Sequence, residues 1–400
     1  MSKHALSVRH PSIKEDSVTP FSEDHEQLRR QVRRFVENEI VPNGEQWERE
    51  GNVPREFIKK MGELGFLGIG FPEAYGGSGM DIFGWIVLAE ELGRSTYAGV
   101  VGVATVHALM ASPHLLHAGT KEQLARYMPG IIQGDILTAI AISEVEAGSD
   151  VGAMRTKATR VPGGWHINGA KFWISNGANA DLYFVATRTD PNAKGANGIS
   201  MFIVEKNTPG FKVGRKLDKL GFRASDTTEL FFEDCFVPDS NLLGIEHRGF
   251  YAVMENFQTE RLILATLNVS ETFTALRLTI QYMRDRKTFG VALVERQVLR
   301  QRLAMLMTRA EAGRQLVRHA ATLMAKGEEA VREVSMAKAY WGELVNEVMY
   351  QCLQCHGGSG FLAGTPIERM YRDARLYSIG GGATEVMLEE VAKRWDDVPE

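Results

Sequence analysis

The chain has 400 residues, a net charge of −4, 44% hydrophobic residues and 24% charged residues, a composition typical of a globular protein with two or three packed modules. The slightly acidic balance argues against a nucleic-acid partner, and three cysteines are too few for a disulfide framework and suit a reducing compartment. We identify no run of about 18 apolar residues and no apolar leader, so we expect a cytoplasmic protein without a membrane span. Residues 1–20 are predicted to be a disordered lead-in.

From residue 21 to 138 the apolar residues recur at helical spacing. Ser22 is predicted to cap the first helix, because its hydroxyl can accept a free backbone N–H. Leu64 is predicted to lie on the buried stripe of the second helix. The predicted helical stretches are residues 22–40, 54–65, 81–92 and 121–132.

Residues 139–248 are predicted to form a small β module. Short β-rich runs alternate there with Gly, Asn and Pro clusters, and the runs are residues 172–175, 181–187, 198–204 and 229–237. Asn168-Gly169 and Asn176-Gly177 are predicted turns, because both residue types tolerate positive φ.

From residue 249 to 400 the helical period returns, with long helices expected near residues 251–286, 295–326 and 328–354. A helical module, a β module and a helical bundle in this order make the fold class α+β.

Two segments at or inside the β module contain residues typical of ligand sites, and both also fit a purely structural interpretation. In residues 141–150, Ser143 and Ser149 frame a small-residue turn that can admit a ligand or simply follow a strand. In residues 171–186, Trp173 and Ser175 share one face of a strand. Together they can cover a flat aromatic ring and hydrogen-bond its edge, or fill the core.

Three C-terminal segments are similarly open to two interpretations. The basic cluster in residues 284–290 can bind phosphate or complement a helix dipole. The glycine-rich break in residues 372–387 can present N–H groups to an anion or a carbonyl oxygen.

Residues 351–361 include Cys352-Leu-Gln-Cys355-His356, which matches the pattern of c-type haem attachment. That attachment needs export, and cysteine near the end of a helix is commonly a small buried residue. No second ligand pair accompanies the motif, so we predict neither haem nor a metal site.

Taken together and in this order, the five segments resemble the acyl-CoA dehydrogenase family over nearly the whole chain, from about residue 21 to 394. The resemblance implies an N-terminal α domain, a central β-barrel-like domain and a C-terminal four-helix bundle. It also implies an FAD cofactor, an acyl-CoA substrate, electron transfer to electron-transfer flavoprotein, and a homotetramer whose FAD sites are completed between subunits.

The resemblance assigns roles to individual residues. Ser143 and Ser175 would bind the flavin edge, Trp173 would pack against the ring, and Ser149 would meet the pantetheine of CoA. Arg261 and Gly382 would lie on the substrate side. Further FAD contacts, several of them reaching across a subunit interface, would come from Arg286, Phe289, Gln297, Gln354, Gly358, Thr384 and Glu385.

The catalytic base is where this chain departs from most of the family. The usual glutamate before a Gly-Thr falls here on Gly381, which has no carboxylate. A subset that includes isovaleryl-CoA and long-chain acyl-CoA dehydrogenases carries the base on an earlier helix, and its position matches Glu260. The resemblance therefore implies that Glu260 removes the α-proton while the Gly381 N–H binds the thioester oxygen.

The same analogy favours a medium, long or branched acyl chain, citronellyl-CoA included, converted to the trans-2-enoyl-CoA. Two alternatives stay open at this point. One is a flavin oxidase or monooxygenase of the same fold, and the other is a non-catalytic FAD-containing binding protein.

Overall fold

The computed structural model describes residues 20–193 and 195–397. The predicted lead-in, residues 1–20, therefore lies outside the described residues except for Pro20.

The first part of the chain is helical. Ser22 caps the first helix as predicted, accepting a hydrogen bond from the His25 N–H, and Asp81 and Thr120 cap two later helices in the same way. The helices are α1 (Glu23–Phe35), α2 (Val41–Glu50), α3 (Arg55–Glu63), α4 (Ile82–Leu92), α5 (Ala98–Thr105), α6 (Ser112–Ala118) and α7 (Lys121–Ile132).

The prediction for Leu64 is wrong. Helix α3 ends at Glu63, and Leu64 is its C-cap with the side chain 48% exposed. Gly65 then takes a φ of 77° and turns the chain, so the helical stripe does not continue to Leu64.

One helical stretch of the described residues is long and apolar enough to cross a membrane, although the sequence has no uninterrupted run of about 18 apolar residues. The helical stretch Ala98–Ala118, which runs through α5, a π-helical turn and α6, passes that test by length and composition. Within its most apolar window 89% of the residues are buried inside the protein, as in a core helix.

The middle of the chain forms one eight-stranded sheet. Its strands are β1 (Thr138–Ala141), β2 (Lys157–Val161), β3 (Gly164–Ser175), β4 (Leu182–Arg188), β5 (Ile199–Glu205), β6 (Phe211–Lys216), β7 (Thr227–Pro238) and β8 (Leu242–Leu243). The order is β6-β7-β3-β2-β4-β5-β8, and β1 pairs with β4 in parallel. The remaining pairs are antiparallel except the single parallel contact of β2 with β4.

The sheet curls into a barrel-like shape. Tyr183 on β4 packs on Phe211 of β6 with ring centroids 4.7 Å apart, although three strands separate them in the sheet. Trp165 on β3 likewise meets Phe202 on β5 at 5.4 Å. These contacts enclose the core of the central domain.

One of the two predicted turns is confirmed. Asn176 has a φ of 60° and leads into a turn after β3. Asn168-Gly169 instead lies inside β3, because the strand continues its pairing with β7 across a bulge there, and Gly169 takes a φ of 145°.

The chain is helical again from Gly249, and a two-stranded β9–β10 hairpin (Lys287–Thr288 and Val291–Ala292) interrupts the helices after the first of them. The helices of this part are α8 (Gly249–Asp285), α9 (Gln297–Ala325), α10 (Val331–His356), α11 (Pro366–Ala374) and α12 (Thr384–Ala392). Their apolar faces share one core with the N-terminal helices. This common core holds α8 and the segment between α11 and α12 against the sheet, where the candidate site lies.

Candidate active site

A cavity of about 2030 Å³ lies where the helical and β parts of the chain meet. Ordinary small-molecule pockets measure about 300–1,000 Å³, so this cavity has room for more than one ligand. Residues of α5, β3 and α8 form its wall together with the glycine-rich segment before α12. The predicted residues that line it are Ser143, Ser149, Trp173, Ser175, Glu260, Arg261, Gly381 and Gly382.

Glu260 supplies a carboxylate to this cavity from the middle of α8, and the residue is 3% exposed. Burial raises the pKa of Glu260 to about 7, because the charged form loses water, while the cations Arg261 and Lys338 oppose the shift. No described residue hydrogen-bonds to its side chain. The carboxyl group is therefore poised to exchange a proton near neutral pH with a molecule in the cavity.

Gly381 adjoins that carboxylate. A Cβ atom built on Gly381 would lie 3.2 Å from Oε1 of Glu260 and 2.3 Å from Cδ1 of Leu264. Gly381 also takes a φ of 64° and Gly382 a φ of 98°, conformations that favour glycine. The carboxylate of Glu260 thus adjoins the space that a side chain at position 381 would enter.

Arg261 follows the acid on α8 and is 7% exposed. Its guanidinium stacks on the ring of Phe257 at 5.4 Å, and its Nε has no hydrogen-bond partner among the described residues. Burial lowers the pKa of Arg261, and Glu260 and Glu390 oppose that change. The group is a buried cation at the cavity wall.

Trp173 is turned into the cavity by an irregularity of β3. The pairing of β3 with β7 shifts between Lys171 and Ile174, and Trp173 takes a φ of 58°. Its side chain is 53% exposed rather than packed in the core. Ser175 lines the same cavity, so an aromatic face and a hydroxyl are available to one flat ligand.

The backbone around Ser143 is fixed by a buried ion pair that the sequence did not reveal. Lys171 is fully buried, and its Nζ donates to Oε1 of Glu144 at 2.8 Å and to the carbonyl of Ile142 at 2.9 Å. The Phe172 N–H donates to the carbonyl of Ser143 at 3.0 Å, which joins this segment to the Trp173 strand. The only sequence signal was a lysine within a β-rich run.

Five predicted cofactor residues lie away from the cavity, on the surface of the chain. Phe289, at the β9–β10 hairpin, is 98% exposed. The other four are exposed as well, and they are Arg286, Gln297, Gln354 and Gly358. The resemblance assigns them to a site shared between subunits, and that role stays a prediction.

Thr384 and Glu385 begin α12 and do not line the cavity. The hydroxyl of Thr384 donates to Oε1 of Glu343 at 3.1 Å, whereas Glu385 is exposed. Their predicted FAD contacts therefore stay predictions too.

The cysteine pair of the haem-like motif is built into α10. Cys352 and Cys355 are buried, and His356 stacks on the ring of Tyr282 with centroids 4.3 Å apart. Within the described residues there is no group of three or more His, Cys, Asp or Glu side chains that could hold a metal ion. These residues pack the end of the helix.

Comparison with known proteins decides the family. Residues 22–135, 139–235 and 247–395 match the N-terminal, middle and C-terminal domains of acyl-CoA dehydrogenase. The chain belongs to the acyl-CoA dehydrogenase family. Acyl-CoA dehydrogenases are FAD-dependent oxidoreductases, so the chain is an enzyme with FAD as its cofactor.

Individual relatives cover nearly all of the chain. The long-chain specific acyl-CoA dehydrogenase of Rattus norvegicus mitochondria is 39% identical over 94% of this chain and 87% of its own length. The isovaleryl-CoA dehydrogenase of Pongo abelii mitochondria is 38% identical over 93% and 88%. The crystal structure of acyl-CoA dehydrogenase from Geobacillus kaustophilus superposes with a TM-score of 0.92 at 39% identity, covering 95% of this chain and all of that one.

The residues present fit an acyl-CoA dehydrogenase flavin. The fit rests on the exposed indole of Trp173, the residues Ser143 and Ser175 that line the same cavity, and the size of the cavity, which exceeds that of a pocket for one small molecule.

Proposed function

We propose that this acyl-CoA dehydrogenase converts a medium, long or branched acyl-CoA to its trans-2-enoyl-CoA, with Glu260 as the catalytic base. The proposal is carried by one observation, the buried carboxylate of Glu260 adjoining the space that a side chain on Gly381 would enter. The family resemblance assigns the usual acid to the position of Gly381, and the carboxylate of Glu260 adjoins that position from α8.

The raised pKa of Glu260 suits proton abstraction. The α-proton of a thioester is a weak acid, and a carboxylate with a pKa of about 7 is a stronger base than an ordinary glutamate whose pKa is about 4.5. The proton moves from Cα to the carboxylate, and the electron pair left behind forms the new double bond as the β-hydrogen departs with its own pair. FAD, when bound, supplies the acceptor for that hydride.

The backbone of Gly381 would stabilise the negative charge that develops on the thioester oxygen. A backbone N–H needs no side chain for this role, and in a water-poor cavity one such donor contributes about 3–4 kcal/mol to catalysis. The positive φ values of Gly381 and Gly382 set the direction of their N–H groups.

The substrate proposal rests on the cavity and on the relatives. An absent side chain at Gly381 leaves space beside the reacting carbons, and the cavity is lined further by apolar Met110, Ile140, Met254 and Phe257. Relatives named for long-chain and for isovaleryl substrates are about equally similar to this chain. Both facts support a long or branched acyl group, terpenoid chains such as citronellyl included.

Electron-transfer flavoprotein is the proposed electron acceptor and a homotetramer the proposed assembly. A solved structure of electron-transferring flavoprotein from Acidaminococcus fermentans is among those similar to this chain, at 34% identity. The exposed positions of Phe289, Gln297 and Gln354 support an FAD site that a second subunit completes. Mass measurement in solution with and without FAD tests the assembly.

Three proteins test the reaction, namely the wild type, Glu260→Gln and Glu271→Gln. Glu271 is a matched control because it lies on the same helix, is also 3% exposed and has a pKa raised to about 8. It accepts a hydrogen bond from the Tyr377 hydroxyl and does not line the cavity. Each protein is titrated anaerobically with straight and branched acyl-CoAs while the flavin absorbance is followed.

We expect the wild type and Glu271→Gln to bleach with one acyl class, and Glu260→Gln to bind FAD and acyl-CoA but stay oxidised. General bases contribute about 10²–10⁴-fold to rates, so the loss is large. Bleaching of Glu260→Gln at the wild-type rate would contradict the assignment of the base. Rapid reoxidation by air would favour an oxidase, and no bleaching of the wild type by any thioester would remove the proposed substrate class.

A further inference from the structure

Lys338 on α10 is buried beside the glycine-rich segment, and the proposed reaction so far assigns it no part beyond its charge effect on Glu260. It is 1% exposed, and its Nζ donates to the carbonyl of Tyr377 at 2.6 Å and to the carbonyl of Gly382 at 3.1 Å. Among the described residues no carboxylate lies within 4.0 Å of its Nζ. A buried ammonium without a carboxylate partner is costly, so simple packing does not explain a lysine here.

The two carbonyls stand at either end of the segment that contains Gly380 and Gly381. Three consecutive glycines have unusual conformational freedom, which costs entropy when the segment is ordered. A single ammonium that binds both ends restricts that freedom. The Gly381 N–H is thereby held in one direction relative to the carboxylate of Glu260.

The charge of Lys338 acts on Glu260 as well. The charged groups that act electrostatically on Glu260 are Arg261 on its own helix and Lys338 on α10, and Glu390 on α12 acts on Arg261 in the same way. Both cations favour the ionised carboxylate and so oppose the effect of burial. Burial lowers the pKa of Lys338 to about 8, so the ammonium is its main form at neutral pH. Lys338 donates only to neutral carbonyls, whereas the charge of Arg261 is partly offset by Glu390.

We propose that Lys338 is a positioning residue for the dehydrogenation. Its ammonium fixes the loop of Gly380 to Gly382 so that the Gly381 N–H is directed at the thioester carbonyl, and its positive charge favours the ionised form of Glu260. The inference rests on the proposed function for the role of Glu260 as base, and its first test measures Glu260 itself.

The first test is an infrared titration of the protonated Glu260 carboxyl in the FAD-containing enzyme, assigned by its loss in Glu260→Gln. Lys338→Met removes both charge and donors, Lys338→Gln removes the charge but keeps N–H donors, and Lys338→Arg keeps both. Lys338→Arg is therefore the matched control, because it places a cation at the same buried position. Cofactor content and thermal unfolding show which variants are folded.

We expect Lys338→Met and Lys338→Gln to raise the pKa of Glu260 by about one unit, since a nearby opposite charge moves a carboxyl pKa by about 1–3 units. Lys338→Arg is expected to leave it at the wild-type value. Where Lys338→Met does not fold, Lys338→Gln decides. An unchanged pKa of Glu260 in a folded neutral variant overturns the charge half of the inference.

The second test addresses the loop, through the red shift of a chromogenic cinnamoyl-CoA when its thioester carbonyl accepts a hydrogen bond in the site. The shift is expected to shrink in Lys338→Met and to persist in Lys338→Arg, and a full shift in Lys338→Met overturns the loop half. Activity of Glu260→Gln would overturn the proposed base, yet it would leave both of these measurements interpretable.

Discussion

The pH dependence of flavin reduction follows directly from the burial of Glu260. With a pKa of about 7, the ionised fraction of this carboxyl is about 9% at pH 6 and about 91% at pH 8. Because the ionised form accepts the α-proton, the second-order rate constant for bleaching by limiting acyl-CoA is expected to rise about tenfold over this range. An ordinary glutamate with a pKa of about 4.5 would be more than about 95% ionised at both values and would give a nearly flat profile.

Stopped-flow absorbance under anaerobic conditions measures this rate constant at each pH. The rate constant increases with pH because only the ionised carboxylate accepts the proton, so activity is lost as the pH falls through about 7 and regained as it rises. Glu271→Gln is expected to keep the same profile, because Glu271 does not face the cavity. A flat profile between pH 6 and pH 8, or a limb displaced in Glu271→Gln, would refute the reasoning.

Three further predictions concern stability and cofactor binding. Gly381→Ala is expected to lower the free energy of unfolding by about 2–4 kcal/mol, because alanine is strained at this positive φ and its Cβ would collide with Leu264. Adding Leu264→Ala to the same chain is expected to recover only the part of this loss that comes from the collision. Chemical denaturation measures both free energies. Glu271 has a pKa of about 8 in the folded state and about 4.5 in the unfolded chain, so the folded state binds the proton more tightly. The stability of the wild type is therefore expected to fall as the pH rises from about 4.5 to about 8. Glu271→Gln should remove that part of the fall, and melting temperatures at pH 5 and pH 9 check it. Trp173→Ala should weaken FAD retention on gel filtration without changing the unfolding of the apoprotein, because the indole is half exposed.

Elements with strong local signals were predicted well from the sequence. The helix expected at residues 121–132 is observed at Lys121–Ile132, where a capping box at Thr120 marks its start and an amphipathic stripe sets its length. The base at Glu260 and the donor at Gly381 came from the family resemblance, because nothing in the periodicity of α8 separates Glu260 from a surface glutamate. The structure brings the two positions together.

The miss at Leu64 is local, because Gly65 ends the helix, whereas the other misses have a tertiary cause. Asn168-Gly169 has the residues of a turn, but pairing with β7 keeps the strand running through it. Lys171 and Lys338 are invisible to hydropathy, since a lysine scores as a surface residue unless its buried partners are known. Their partners are distant in sequence, and in Lys338 both are main-chain carbonyls, which leave no mark in the amino-acid pattern.

Because Glu260 lies so close to Gly381, the residues at these two positions are expected to change together in evolution. The acid can be carried by the helix or by the loop, and the two side chains would crowd each other, because a Cβ at position 381 would lie 3.2 Å from Oε1 of Glu260. Either substitution alone removes the base or crowds it, so a lineage can exchange one arrangement for the other only through a weakened intermediate. A search for active members of such a family that requires an acid at the loop position would wrongly reject this chain as inactive. A search that accepts an acid at either the helix position or the loop position would keep it.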